Sequence, residues 1–167
     1  MDLLKLSTDW ARAEVFSAKF FILFGLLFIL ATIGFYQLGK TEVAKAYVYP
    51  TLVVGILLTI IGAGLLYANT ERIRTFEVAY RTDAKAFLES EIDRAEKTIK
   101  EYETVVFTAI PIIIIACALL IIFLNTPTWR AISITTIAMM VCILLVDGTA
   151  QKRIAEYHEQ LLRINNN

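Results

Sequence analysis

The chain has 167 residues, of which 57% are hydrophobic and 19% charged, and its sixteen basic and sixteen acidic side chains cancel to a formal charge of zero. Mean hydropathy is +0.64 and the apolar weight is gathered into four blocks, which excludes an ordinary soluble domain and reads as an integral membrane protein. The balanced charge leaves no electrostatic footprint for nucleic acid, so no direct nucleic-acid binding is expected.

The opening stretch to Lys19 carries Ser7, Thr8 and Asp9, any of which can cap a short helix, followed by Trp10 and Phe16. Aromatic residues just ahead of a span suit the headgroup level of a bilayer, so an interfacial lead-in helix is expected. The first oily block, Phe20 to Tyr36, is long enough to cross the hydrocarbon and ends in FYQLGK, without the small residues of a cleavage site, so it reads as an uncleaved anchor. A short polar connection leads to the second block, Val48 to Ala68, with Pro50 in its first turn, where a missing N–H costs little. Gly55, Thr59 and Ala63 follow at four-residue spacing and Gly64 with Ala68 forms another such pair. Small residues on one face let a neighbouring helix approach closely, so this stripe is a packing seam or, alternatively, a hinge or pore-facing line.

Between the second and third blocks lies a polar stretch, Glu71 to Thr104, with 34 residues, no Gly or Pro, seven Lys/Arg and nine Asp/Glu. Ile73, Phe76, Tyr80, Phe87, Leu88, Ile92, Ile99 and Tyr102 recur mostly at steps of three and four, an amphipathic helical pattern. A continuous helix of this length reaches about 50 Å, too long for a simple connection. It is either a straight rod or a hairpin broken near Arg81-Thr82-Asp83, where Thr82 or Asp83 can cap a new helix. Its greasy stripe needs a cover, from the hairpin's own halves, the C-terminal helix or another subunit.

The third block, Val105 to Leu124, contains Pro111, which removes a backbone hydrogen bond and predicts a kink. The fourth, Ala131 to Val146, is short, carries Ser133, Thr135 and Thr136, and either crosses upright or forms a re-entrant piece. Beyond it, Gly148 is expected to interrupt the helix and Thr149 to cap a last one, running to about Arg163. The expected fold is all-α, with four transmembrane helices, a long amphipathic cytoplasmic helix or hairpin and a C-terminal cytoplasmic helix. The chain divides at 1–69 (interfacial helix and first transmembrane pair), 70–104 (amphipathic segment), 105–146 (second pair) and 147–167 (terminal helix). Four crossings place both termini and the polar stretch on one side, with thirteen of the sixteen Lys/Arg, and the positive-inside bias makes that side the cytoplasm.

No ionisable residue sits in the middle of a block, which reads against ion-coupled transport. Cys117 and Cys142 lie in apolar blocks without His or a second Cys nearby, so neither a metal nor a cofactor is expected. Hydroxyls in every span, Thr135 and Thr136 among them, can line a water path in a ring of copies or bond back to their own helices. The partners expected are therefore the lipid bilayer and further copies of the chain.

On the C-terminal helix Arg153 and the single histidine, His158, are separated by four residues. The pair resembles the Arg-x4–6-His signature of the HEPN family of helical RNases. That resemblance implies a His in acid–base work on a ribose hydroxyl and an Arg holding the scissile phosphate, with two motifs meeting across a dimer. This chain departs from the family at Ile154, where a polar residue is usual, and five positions place the two side chains about 140° apart on a helix. Taken with that motif, the layout resembles the membrane accessory proteins of type VI-B CRISPR-Cas systems. Membership would imply the bacterial inner membrane, a role in antiviral defence beside an RNA-guided RNase effector, and a homo-oligomeric pore that depolarises the cell. The alternatives are a non-catalytic membrane scaffold or stress protein and a membrane-tethered RNase using Arg153 and His158.

Overall fold

The computed structural model describes residues 2–166. Among them the chain forms four long helical rods: α1 (Leu3–Leu38), α3 (Val48–Thr82), α4 (Ala84–Glu101) continued by a π-helical segment (Tyr102–Ala109) into α5 (Ile110–Phe123), and α6 (Pro127–Asn165). A one-turn helix, α2 (Glu42–Ala46), lies in the first connection, capped by Thr41 Oγ1 accepting from the Ala44 N–H. At about 1.5 Å per residue the 39 residues of α6 extend close to 60 Å, nearly twice the hydrocarbon thickness. All four rods are long and apolar enough to cross a membrane, so the chain is a multi-pass membrane protein. Each rod has an apolar half, with side chains such as Leu30, Ile60 and Ile122 on the outside, and a polar half at the same end of the bundle.

The amphipathic stretch is a hairpin. Asp83 ends α3 in an extended conformation, and its Oδ1 accepts from the N–H groups of Lys85 and Ala86 at 3.0 Å, satisfying two donors that the first turn of α4 leaves free. Phe76 and Phe87 then meet edge to face across the turn, with ring centroids 5.4 Å apart. The greasy stripe is covered within the chain: Phe76, Phe87, Leu88 and Ala95 pack with Leu3, Trp10 and Ala11 of α1 and with Ile154, Tyr157 and Leu161 of α6. Each fully buried aliphatic in this set contributes about 1.5–3 kcal/mol relative to exposure, which holds the polar ends of four rods together in water.

Three local expectations are corrected. The helix does not start at Ser7, Thr8 or Asp9, because Asp2 caps it by accepting from the Leu4 N–H at 3.1 Å and it then runs unbroken. Its first half is no separate short helix but part of the 36-residue α1, with Leu3 and Trp10 buried against the hairpin stripe. Gly148 does not interrupt α6 and Thr149 caps nothing. The helix continues through both, and the Thr149 hydroxyl donates back to the Val146 carbonyl at 2.8 Å. The divisions at 69/70, 104/105 and 146/147 accordingly fall inside continuous helical rods, and the fourth block is the apolar part of an uninterrupted helix rather than a re-entrant piece.

Pro111 is accommodated by widening the preceding helix. Ile110 donates to Val105, five residues back, and the Thr108 hydroxyl bonds Glu103 in the same register at 2.9 Å. Relaxing the register ahead of a residue that lacks an N–H avoids the clash its ring makes with the carbonyl four residues earlier.

The rods pack unevenly. α1 lies against α3 along most of its length, α5 and α4 lie against α6, and α6 also meets α1, but α3 does not pack along the π segment or α5. The bundle is therefore a four-rod assembly with one edge closed only near the Asp83 turn.

Candidate functional site

The helix periodicity that builds the polar core also brings charged groups into it. Glu91 stands in the buried stripe of α4 with Phe87, Leu88 and Ala95, and is 5% exposed. A carboxylate there requires partners, because an unpaired buried charge costs several kcal/mol. It has two. Arg94, one turn on, donates Nε–H and Nη2–H to its two oxygens at 3.0 and 2.5 Å, and the Tyr157 hydroxyl lies 2.6 Å from Oε2. The same hydroxyl is 2.8 Å from Ser7 Oγ, so residues from α1, α4 and α6 meet at one point. Tyr157 stacks on Trp10 at 5.2 Å and 16°, and the Arg94 guanidinium lies 4.1 Å over the Trp10 ring. Burial opposes the Arg94 charge, but the hydrogen bonds and charge of Glu91 raise its pKa above the ordinary value. Burial and Glu91 together push the Tyr157 hydroxyl well above its usual range, so it stays protonated and donates.

A second ion pair sits one turn back along α6 from Tyr157. Arg153 donates Nε–H and Nη2–H to Glu14 Oε1 at 3.2 and 3.0 Å, and Nη2–H also reaches Ser17 Oγ at 2.7 Å. Burial raises the Glu14 carboxyl above its ordinary pKa even though Arg153 acts the other way. The sequence pair Arg153 and His158 is thus not assembled into one site. Arg153 is held against α1, and the half-buried His158 shares no partner with it.

Beside these networks, on the open edge between α3 and the α4–π rod, is a cavity of about 510 Å³. Its polar end carries Arg72, Arg94 and Trp10, and its apolar end carries Leu65, Val105 and Val106, where the spans begin. Arg72 donates Nη1–H to Asn69 Oδ1 at 2.8 Å; among the described residues no carboxylate is within ion-pair distance of it, and Glu91 and Glu14 act on its charge from farther off. Burial, and then the neighbouring Arg94, lower its pKa from the ordinary arginine value. Trp10 is 8% exposed, and its Nε1–H finds no acceptor among the described residues.

In the apolar half, Gly55 and Thr59 lie on the α1–α3 seam. A Cβ on Gly55 would come within 2.8 Å of Ile29 and 2.9 Å of the Gly25 carbonyl, and one on Gly25 would meet Thr59 Oγ1 at 2.3 Å. Ala63 is exposed and off that seam, and Gly62, seven residues after Gly55, takes the place: a Cβ there would come within 2.7 Å of Ile22. Three and four-residue steps alternate on a helical face, so a strict four-residue rule drifts off it. The hydroxyls of Thr59 and Thr135 donate to Gly55 and Ala131 in their own helices. Thr135 and Thr136 also line a groove of about 420 Å³ between α3 and α6 with Tyr49, Val53, Thr128 and Met139.

Sequence reasoning did not single out Glu91, Tyr157, Glu14 or Arg72. The available signal was an acid and a tyrosine inside apolar helical stripes, which demands partners but does not name them. Among the described residues no group of three or more His, Cys, Asp or Glu is placed to hold a metal. Comparison with protein-family models, curated proteins and solved structures finds no match to this chain.

Proposed function

We propose that this chain is a membrane effector of antiviral defence that assembles with copies of itself into a pore and permeabilises the bacterial inner membrane. Both termini and the polar half face the cytoplasm in this reading, and an RNA-guided RNase effector acts upstream. The resemblance to type VI-B accessory proteins supplies the setting. The physical support is the incomplete packing of the bilayer half. The α3–α6 groove carries Thr128, Thr135 and Thr136 and is left uncovered by the rest of the described chain, and a neighbouring copy seated along it would close a ring. Catalysis forms no part of the proposal, because Arg153 is engaged by Glu14 and Ser17 in place of a phosphate.

The test is particle imaging of the full chain in lipid nanodiscs, paired with membrane-potential measurement in cells that express it with an activated effector. A closed ring and collapse of the potential are expected, and Thr136→Trp, which fills the groove where the neighbouring copy would sit, should break the ring and spare the potential. A strict monomer that leaves the potential intact overturns the proposal. RNA incubated with the wild-type protein and with His158→Ala should survive equally, and cleavage by the wild type alone would return the RNase reading.

A further inference from the structure

We propose that the cleft between α3 and the α4–π rod binds a phospholipid, its phosphate held by Arg72 and its acyl chains leaving past Leu65 and Val105. Three observations converge on this occupant. Arg72 is half-buried and lines the cavity, with Asn69 as its side-chain hydrogen-bond partner and Glu91 and Glu14 acting on its charge from beyond ion-pair distance, so its remaining N–H groups can take a phosphate in the bidentate geometry a guanidinium favours. The cavity also changes character along its length, from Arg72 and Arg94 to Leu65, Val105 and Val106, the same order as headgroup and acyl chain in a bilayer leaflet. Finally, α3 does not pack along the π segment, and Leu65 and Val105 on the two lips are 40% and 54% exposed, so the site opens sideways at the depth where spans begin.

The charge balance separates a lipid from a free anion. Glu14 and Glu101 line the same cavity, while Arg94 is already paired with Glu91. A small dianion would meet these carboxylates as repulsion. A phosphoethanolamine head places its ammonium against them and its phosphate on Arg72, and the volume lies within the range of small-molecule sites. The site is independent of self-assembly and would be present in a single copy.

The experiment uses the full chain carrying Trp129→Phe, so that Trp10 is the sole tryptophan, and phosphatidylethanolamine brominated near the head of its acyl chains as a fluorescence quencher. Saturable quenching of Trp10 is expected, competed by unbrominated phosphatidylethanolamine and unaffected by inorganic phosphate. Arg72→Leu should weaken the apparent affinity about tenfold or more, with Arg72→Lys between it and the wild type. Equal quenching in Arg72→Leu overturns the proposal. So does equal binding of brominated diacylglycerol, which means an apolar groove without headgroup recognition, or competition by inorganic phosphate, which means a free-anion site. If Arg72→Leu does not fold, native mass spectrometry of the wild-type chain decides between phosphatidylethanolamine and diacylglycerol.

Discussion

Replacing Tyr157 by Phe removes one oxygen from the centre of the polar core and little else, because the ring and its stack on Trp10 stay. The hydroxyl has a single proton and two neighbours, Glu91 Oε2 at 2.6 Å and Ser7 Oγ at 2.8 Å. The carboxylate, charged and nearer, takes the proton. Hydrogen bonds to charged groups contribute about 1.5–3 kcal/mol, and Glu91 keeps its paired bonds from Arg94, so a loss of about 2 kcal/mol is expected. For a chain of this size that corresponds to a fall in Tm of roughly 4–8 °C. The assay is thermal unfolding in detergent, followed by Trp10 fluorescence in the Trp129→Phe background, where the probe touches the altered ring. Ser7→Ala added to Tyr157→Phe should cost less than Ser7→Ala alone, since both act on one network. An unchanged Tm, or strictly additive losses, would refute the argument that this hydroxyl ties three helices together.

Gly25→Ala places a methyl within 2.3 Å of Thr59 Oγ1 and 2.8 Å of backbone and should destabilise by about 1–3 kcal/mol. Gly64→Ala meets open space and should be neutral or stabilising by up to about 1 kcal/mol. Equal effects in thermal melts would contradict the α1–α3 seam. Asp83→Ala loses a helix cap worth about 1 kcal/mol, to be read as faster hydrogen exchange at Lys85 and Ala86 with little change near Ala95. The raised pKa of Glu14 means the folded chain holds that proton more tightly than the unfolded one. Its contribution is full below the ordinary carboxyl value of 4.5 and is lost as pH rises through the elevated value. Glu14→Gln should therefore flatten the decline of Tm on the neutral side of that window, and identical pH profiles would count against it.

Much of the scaffold was legible because its signals are local. Four apolar blocks declare four spans, and an Asp within a Gly- and Pro-free amphipathic stretch is where a hairpin can turn. Gly148 misled because glycine marks a helix end only when the chain needs to leave, and here Val146 and Ala150 on either side are both buried in the same helix. The stripe through Gly55 was read one residue off at Ala63, since the helical repeat is not an integer. The charged core was out of reach for another reason. Tyr157 meets Glu91 and Ser7 across 66 and 150 positions, and Arg153 meets Glu14 across 139. Periodicity says which face a residue occupies and is silent on which distant face it meets. That silence also hid Arg72, which lines the cleft opposite Arg94 and Glu101.

The unbroken rods have a mechanical consequence. Because α1 and α6 pass from the polar bundle into the apolar half without a joint, force applied at the Asp83 tip is not absorbed along them and arrives as leverage on their far ends. Among the described residues only the third rod changes register between its polar and apolar parts, at the π segment ahead of Pro111, so α4 and α5 are joined less rigidly than the halves of the other three rods.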